Sequence, residues 1–281
     1  MSVELDEGVV SRREGGPPLY FHATMPKGEL VAMLGIVHGY ADHGKRYAHV
    51  MGALAEHGIG SVAIDLRGHG RAGGPRGFCM RFDEFHDDIR ELRALVEQRA
   101  KGKPMFLFGH SFGGLVSTSV VLRDPKPWKG LILSGPYFGT ALAVPAVKEF
   151  AGRIASRVLP KLGVPMGLTG AMCTHDEQKA RDYDNDPLSF KNATARWFTE
   201  ATAEQKRVLE NVSRLTLPLY VVFGAADPIA SMAAAKKVFD AAGSSDKTWD
   251  ARAGLFHEVL NEPSWKDIVE PIAKWILAHA K

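Results

Sequence analysis

The chain has 281 residues, 45% of them hydrophobic and 24% charged, a composition typical of a globular protein with one large domain or a core domain carrying an insertion. A formal net charge of +3, without a block of lysine and arginine residues, argues against a nucleic-acid partner. No apolar stretch reaches the roughly 18 residues that span a bilayer, and the acidic N-terminus has no secretory pattern, so we expect a cytoplasmic location.

The elements predicted along the chain alternate between strands and helices. The first 26 residues are predicted to form an antiparallel hairpin at a sheet edge. Apolar runs then predict strands at Val31–Val37, Ile59–Ile64, Met105–Phe108, Leu131–Leu133, Leu219–Phe223 and Lys247–Ala251. Helical spacing of apolar residues predicts helices at Tyr47–His57, Phe82–Ala100, Leu115–Leu122, Ser231–Ala241 and Ser264–Ala280. This alternation predicts an α/β fold with a mostly parallel central sheet flanked by helices.

One stretch, residues 137–215, breaks the alternation and is predicted to be helical, with no strand between its last two helical segments. The helical pattern is carried by an apolar stripe and two further segments, namely Val147, Phe150, Ile154 and Val158, then Asp176–Asp184 and Ala193–Leu209. We predict that residues 137–215 form a cap, inserted into a core made of residues 1–136 and 216–281. Most of the stripe is expected to pack inside this cap, and a few residues to line an apolar tunnel.

The sequence Gly-His-Ser-Phe-Gly at residues 109–113 lies between a predicted buried strand and a predicted helix. At such a corner the serine sits on a tight, strained turn, and its hydroxyl projects into open space. We therefore predict that Ser111 is a nucleophile. The alternative is a glycine-rich turn whose serine merely caps the following helix.

Two polar residues follow later strands and are expected at the same sheet edge as Ser111. Asp227 lies in the turn after the strand that ends at Phe223, and His257 lies in the last loop before the C-terminal helix. The chain order serine, aspartate, histidine is that of nucleophile-elbow hydrolases. His257 would take the proton of Ser111, and Asp227 would fix the imidazole tautomer. The alternatives are a plain turn aspartate and a surface histidine.

The loop at residues 38–43 is predicted to supply half of an oxyanion hole. We place its two donors at the backbone N–H groups of Tyr40 and Phe112. The side chains predicted to contact a substrate are those of Tyr40, Phe112, Tyr137 and Phe138. His38 is predicted to be a buried structural histidine that forms hydrogen bonds with the loop backbone. The 11 histidines and two cysteines show neither metal-ligand spacing nor a disulfide framework, so we expect no metal.

Five segments together carry a resemblance to a known family: residues 38–47, 65–70, 109–114, 185–188 and 257–262. They resemble the α/β-hydrolase superfamily, and within it the monoacylglycerol lipase and lysophospholipase-like group of the serine aminopeptidase S33 type. The resemblance covers nearly the whole chain and implies a serine hydrolase that needs no cofactor. Tyr40 and Phe112 depart from it, because relatives often have smaller residues there.

The favoured function is hydrolysis of carboxylic esters through an acyl-enzyme, with a monoacylglycerol as the substrate. The alternatives are a short-chain carboxylesterase, a lysophospholipase, a thioesterase, an acyltransferase and, from another class, a non-catalytic ligand sensor. Peripheral membrane contact through the cap is a further hypothesis, against the alternative of a solvated helix face. The residues that suggest it are Val144, Val147, Phe150, Lys148, Arg153, Arg157 and Lys161.

Overall fold

The structure is a computed structural model that describes residues 5–12, 15–142 and 146–281, with side chains in the last range from residue 151 onward. The strands in this part of the chain are β1 (Asp6–Val10), β2 (Leu19–Thr24), β3 (Ala32–Val37), β4 (Ile59–Asp65), β5 (Met105–His110), β6 (Gly130–Ser134), β7 (Gly163–Pro165), β8 (Asn192–Thr194), β9 (Leu219–Gly224) and β10 (Lys247–Arg252). The α-helices are α1 (Ala48–Glu56), α2 (Asp83–Ala100), α3 (Phe112–Arg123), α4 (Ala146–Val158), α5 (Gly170–Cys173), α6 (Glu177–Asn185), α7 (Ala195–Asn211), α8 (Met232–Ala241) and α9 (Trp265–His279).

The main sheet, as far as the chain is described, has the strand order β1-β2-β4-β3-β5-β6-β9-β10. From β4 to β10 all neighbouring strands are parallel, whereas β1 pairs antiparallel with β2 and β2 antiparallel with β4. Every residue of β3, β4, β5, β6 and β9 is buried, as expected for parallel strands covered on both faces. The predicted mostly parallel sheet and its N-terminal hairpin are therefore confirmed.

Alternate residues of the central strands point to opposite faces of the sheet, where they join two separate apolar clusters. Met33 and Val37 pack with helices α2, α3, α7 and α8, while Leu34 and Ile36 pack with helices α1 and α9. The direction in which strands are added reverses between β3 and β5. After β3 the chain adds β4 on one side of it, and it then returns to add β5 on the opposite side. Loops at the carboxyl ends of these two strands therefore flank the crevice in which open α/β sheets bind ligands.

Between β6 and β9 the chain forms α4, α5, α6 and α7, and also a small two-stranded sheet. The prediction that no strand lies between the last two cap helices is wrong, because β8 pairs antiparallel with β7. Each strand has only three residues, too few to show an alternating pattern. Helix α7 begins at Ala195, directly after β8. The side chain of Thr194 caps this helix by accepting a hydrogen bond from the backbone N–H of Trp197. The division of the chain at residues 137 and 215 stays a prediction.

The apolar stripe of α4 is placed differently from what we expected. Ile154 and Val158 are 50% and 71% exposed, so the prediction that the stripe packs inside the cap is wrong for both. The small residues Ala151, Gly152 and Ala155 of α4 line a cavity instead. Val147 and Phe150 lie outside the described side chains. No helix in the described ranges is long and apolar enough to cross a membrane.

Candidate active site

Ser111 lies at the corner between β5 and α3. Its backbone has φ 52° and ψ −119°, which costs a non-glycine residue roughly 1–3 kcal/mol. A Cβ at Gly109 would overlap the carbonyl group of Gly113, and a Cβ at Gly113 would overlap the carbonyl oxygens of Val37 and His38. The closely packed backbone thus holds the serine against the end of β3. The capping alternative is wrong, because Ser111 occupies the N-cap position of α3 without forming a side-chain capping bond.

His257 and Asp227 are in direct contact, with 2.7 Å between His257 Nδ1 and Asp227 Oδ2. The other carboxylate oxygen, Asp227 Oδ1, accepts hydrogen bonds from the backbone N–H groups of Ile229 (2.7 Å) and Ala230 (3.0 Å). Burial alone would raise the pKa of Asp227, but His257 and these N–H groups lower it below its usual value. Burial alone would lower the pKa of His257, but Asp227 raises it above the usual value. The pair therefore holds a proton on Nδ1 and turns Nε2 away from the carboxylate.

The loop that carries His257 is held from both sides. The backbone N–H of Glu258 donates to the carbonyl oxygen of Cys173 at 2.8 Å, and that of Phe256 donates to Glu262 Oε1 at 2.8 Å. Glu262 is fully buried and also accepts from the backbone N–H of His175 at 2.9 Å. Residues 173–175, from the segment between β6 and β9, thus fix the position of His257.

A buried ion network lies beside this loop and was missed by sequence reasoning. Arg46 forms a bidentate contact with Glu258, at 2.8 and 2.7 Å, and a further contact with Asp42 Oδ1 at 3.0 Å. Burial would raise the pKa of Asp42, but Arg46 and nearby histidines hold it well below its usual value. Arg46 and Glu258 are 212 residues apart in sequence, so no local pattern predicts their pairing. The one signal for it is that they lie in two of the segments that carry the family resemblance, residues 38–47 and 257–262.

The loop after β3 lies directly against Ser111, since a Cβ at Gly39 would be 3.4 Å from the Cβ of Ser111. Phe112 begins α3, where backbone N–H groups have no acceptor within the helix. His38 Nδ1 donates to the Gly39 carbonyl at 2.7 Å, and its Nε2 accepts from the N–H of Leu66 at 2.9 Å. The prediction that His38 is a buried structural histidine is therefore confirmed.

Ser111 and His257 line one cavity of about 630 Å³. Tyr40, Phe112 and Tyr137 also line it. Phe138 packs into the hydrophobic core and is absent from the described lining, so the prediction that it contacts a substrate is wrong. Apolar residues from the segment between β6 and β9 cover much of the wall, among them Leu162, Val164, Met166, Leu168 and Phe198. Among the described lining residues, the charged ones are the carboxylates Asp42 and Glu258, and none is a lysine or arginine.

Neither cysteine takes part in a disulfide, since Cys79 and Cys173 are both buried as free thiols. Within the described residues, no group of histidine, cysteine, aspartate or glutamate side chains is arranged to hold a metal ion. Asp65 is committed to the backbone, because its carboxylate accepts from the N–H groups of Gly44 (2.8 Å) and Arg71 (2.7 Å).

Residues 28–264 match the protein family described as serine aminopeptidase, S33. The monoacylglycerol lipase of Mycolicibacterium smegmatis is 28% identical over 267 residues, which are 94% of this chain and 95% of that protein. Phospholipase YtpA of Bacillus subtilis is 30% identical over 240 residues, 85% of this chain and 92% of that protein. The crystal structure of Paleococcus ferrophilus monoacylglycerol lipase superposes with a TM-score of 0.84 at 25% identity, covering 93% of this chain and 99% of that chain.

Proposed function

The chain belongs to the serine aminopeptidase S33 family as a monoacylglycerol lipase-like α/β-hydrolase and ester hydrolase, and on this basis we propose that Ser111, His257 and Asp227 form its catalytic triad. The observation that carries the proposal is the 2.7 Å contact between Asp227 and His257, because His257 lines the same cavity as Ser111. A strained serine whose side chain forms no capping bond supports the same assignment.

In the proposed reaction Ser111 Oγ attacks the ester carbonyl carbon while His257 Nε2 takes the hydroxyl proton. The negative charge that develops on the carbonyl oxygen is stabilised by the backbone N–H groups of Tyr40 and Phe112. The tetrahedral intermediate then collapses, and His257 returns the proton to the departing alcohol oxygen. Water, activated by the same imidazole, attacks the acyl-serine and releases the carboxylic acid. Asp227 stabilises the imidazolium that forms in each half of the reaction.

The cavity favours a neutral single-chain lipid as the substrate. Its mostly apolar wall suits an acyl chain, and its volume lies within the usual range for small-molecule sites. The carboxylates of Asp42 and Glu258 in the lining are held by Arg46, so the polar part of the wall is partly charge-balanced and suits a neutral alcohol group such as glycerol. The described lining holds no lysine or arginine that would bind a phosphate, so the cavity favours a neutral alcohol group over that of a lysophospholipid.

The test is hydrolysis of monoacylglycerols with acyl chains from short to long, with Ser111→Ala beside the wild type. We expect turnover that peaks at medium or long chains and is absent in Ser111→Ala. Turnover confined to the shortest chains would instead assign a carboxylesterase. An inert wild type would contradict the hydrolase proposal for glycerides and favour acyl transfer or ligand sensing.

The proposed function includes docking of the protein on an anionic lipid surface. Five apolar side chains between residues 154 and 164 are exposed, and two of them also line the cavity. The five are Ile154, Val158 and Leu159, together with the cavity-lining Leu162 and Val164. Exposed Arg153 and Arg157 lie on α4, as Ile154 and Val158 do, and would contact lipid phosphates. Of the residues that suggested docking from the sequence, Val144, Val147, Lys148 and Phe150 lie outside the described side chains.

Flotation with vesicles that contain anionic lipid tests this docking. We expect the wild type to float at low salt and the variant Val158→Asp/Leu159→Asp to remain unbound. Both side chains are exposed, and neither is in the described cavity lining, so turnover of a water-soluble ester should be unchanged. A wild type that does not float would contradict the docking proposal and leave the triad unaffected.

A further inference from the structure

The side chain of Tyr40 joins the loop after β3 to the segment that leads into α7. Its hydroxyl donates a hydrogen bond to the carbonyl oxygen of Gly77 at 2.8 Å and accepts one from the backbone N–H of Thr194 at 3.3 Å. Thr194 Oγ1 donates to the same Gly77 carbonyl at 2.7 Å. Burial raises the pKa of the Tyr40 phenol, so the hydroxyl keeps the proton that it donates. Three segments that are distant in sequence therefore meet at one hydroxyl group.

The ring of Tyr40 is held as firmly as its hydroxyl. It stacks on Trp197 of α7, with ring centroids 3.6 Å apart, and meets Phe190 edge-on at 5.2 Å. A Cβ at Gly77 would overlap both the Tyr40 hydroxyl and the Phe190 ring, so only glycine fits beside this contact. The side chain is thus enclosed mainly by the segment from β8 to α7 and by the Gly77 turn.

The backbone next to Tyr40 needs such support. Ala41 has φ 60°, a left-handed conformation that L residues adopt only where the surrounding structure holds them in it. Just after Ala41, the Asp42 carboxylate accepts the backbone N–H of His43 at 2.7 Å. Just before Ala41, the contacts of the Tyr40 side chain hold the same turn. The backbone N–H of Tyr40 is the proposed oxyanion donor, so its direction depends on this turn.

We propose that Tyr40 is a positioning residue whose hydroxyl, through Gly77 and Thr194, couples the seating of the segment from β8 to α7 to the direction of an oxyanion donor. This inference rests on the proposed function, because it concerns the same site. A contact with a developing oxyanion strengthens in the transition state, so misalignment lowers kcat more than it changes KM.

The variant Tyr40→Phe removes the hydroxyl and keeps the ring that stacks on Trp197. With p-nitrophenyl butyrate we expect kcat to fall about fivefold to tenfold and KM to change less than about twofold. The rate of labelling by a fluorophosphonate should fall by a similar factor, because that reaction also uses the oxyanion hole. The matched control is Tyr220→Phe, which removes a 2.6 Å hydrogen bond to Asp250, outside the described cavity lining, and should leave kcat unchanged.

A double-mutant cycle with Thr194→Ala tests the coupling itself. Thr194→Ala removes both hydrogen bonds of the Thr194 hydroxyl, the one it donates to Gly77 and the one it accepts from the N–H of Trp197, but keeps the backbone donor to Tyr40. If both residues act through one contact, the double variant loses less kcat than the product of the single losses. Losses that multiply would overturn the coupling.

The outcomes separate the positioning role from the proposed function. A Tyr40→Phe variant with kcat within about twofold of the wild type would overturn the positioning role, whether or not its melting temperature falls. A change in KM alone would overturn it too and make the hydroxyl a substrate contact. A wild type inert toward both the ester and the fluorophosphonate would overturn the proposed function, and the positioning role with it.

Discussion

Replacing Asp227 by asparagine tests the assignment of the acid. Asp227 Oδ1 accepts two backbone N–H groups, and an asparagine carbonyl can accept the same two, so the turn should keep its shape. The asparagine amide would then face His257 Nδ1 as a donor. The imidazole would have to carry its proton on Nε2, where it cannot act as a base toward Ser111.

The size of the effect follows from the contact between the two side chains. At 2.7 Å and an effective dielectric constant of about 20, a full charge pair is worth about 6 kcal/mol. Both side chains are almost completely buried, at 6% and 1% exposure, so solvent screens the pair little. Because about 1.4 kcal/mol corresponds to a tenfold change in rate, we expect kcat to fall by about four orders of magnitude.

The pH profile gives a second measure of the same contact. Asp227 raises the pKa of His257 above its usual value, and the imidazole must be neutral to act as a base. Wild-type kcat/KM should therefore fall as pH drops through that raised pKa, and the acid limb of residual Asp227→Asn activity should lie at lower pH. The stability gained from protonated His257 is present at low pH and is lost as pH rises through its folded-state pKa.

The assay is kcat/KM for a water-soluble ester between about pH 5 and about pH 9, with circular dichroism to verify folding. Activity of Asp227→Asn within about tenfold of the wild type would refute the reasoning. The next carboxylate to test would be Asp65, although its oxygens accept the N–H groups of Gly44 and Arg71.

Three further variants test other parts of the site. Ser111→Gly and Ser111→Ala should both be inactive, but calorimetry should find the glycine variant more stable by about 1 kcal/mol, because only glycine relieves the φ of 52°. Glu258→Gln removes the charge that is paired with Arg46 and leaves that guanidinium less compensated, so activity on a lysophospholipid relative to a monoacylglycerol of the same chain should rise roughly tenfold. The half-exposed control Glu270→Gln should leave that ratio unchanged. Glu262→Ala should lower the free energy of unfolding by roughly 2–4 kcal/mol, measured in urea, because it removes a fully buried carboxylate and leaves two partly buried N–H groups without their acceptor, while Glu262→Gln should cost less.

Sequence patterns predicted the core of the fold well because each signal was local. The buried strands have uninterrupted apolar runs, so β3 and β9 lie within one residue of their predicted bounds. The small sheet of β7 and β8 gave no such signal, since three residues cannot show a period. The sequence pattern also could not predict that the α4 stripe is exposed, because an apolar stripe has the same spacing whether it faces the interior or solvent.

For the site, the sequence placed side chains at one sheet edge but could not pair them. Ser111, Asp227 and His257 each follow a strand that the pattern had located, so topology alone brings them near one another. The pairing of Arg46 with Glu258 depends on how two loops fold over α1 and α9, which no local pattern encodes. Phe138 lies in the core while the neighbouring Tyr137 lines the cavity. Which of two adjacent aromatic side chains faces the cavity depends on the backbone direction at that point, which the residue types do not encode.

The segment between β6 and β9 covers the cavity and also contacts the two loops that the proposed chemistry uses, the loop that carries His257 and the loop after β3. On the side of the base, the Cys173 carbonyl oxygen accepts the N–H of Glu258 next to His257. On the side of the oxyanion hole, Asp186 contacts His43 Nε2 at 2.7 Å. A segment joined to the core at both loops cannot move as a rigid lid without disturbing both. Substrate entry should therefore involve local motion at the exposed apolar edge, with the contacts to the two loops kept in place.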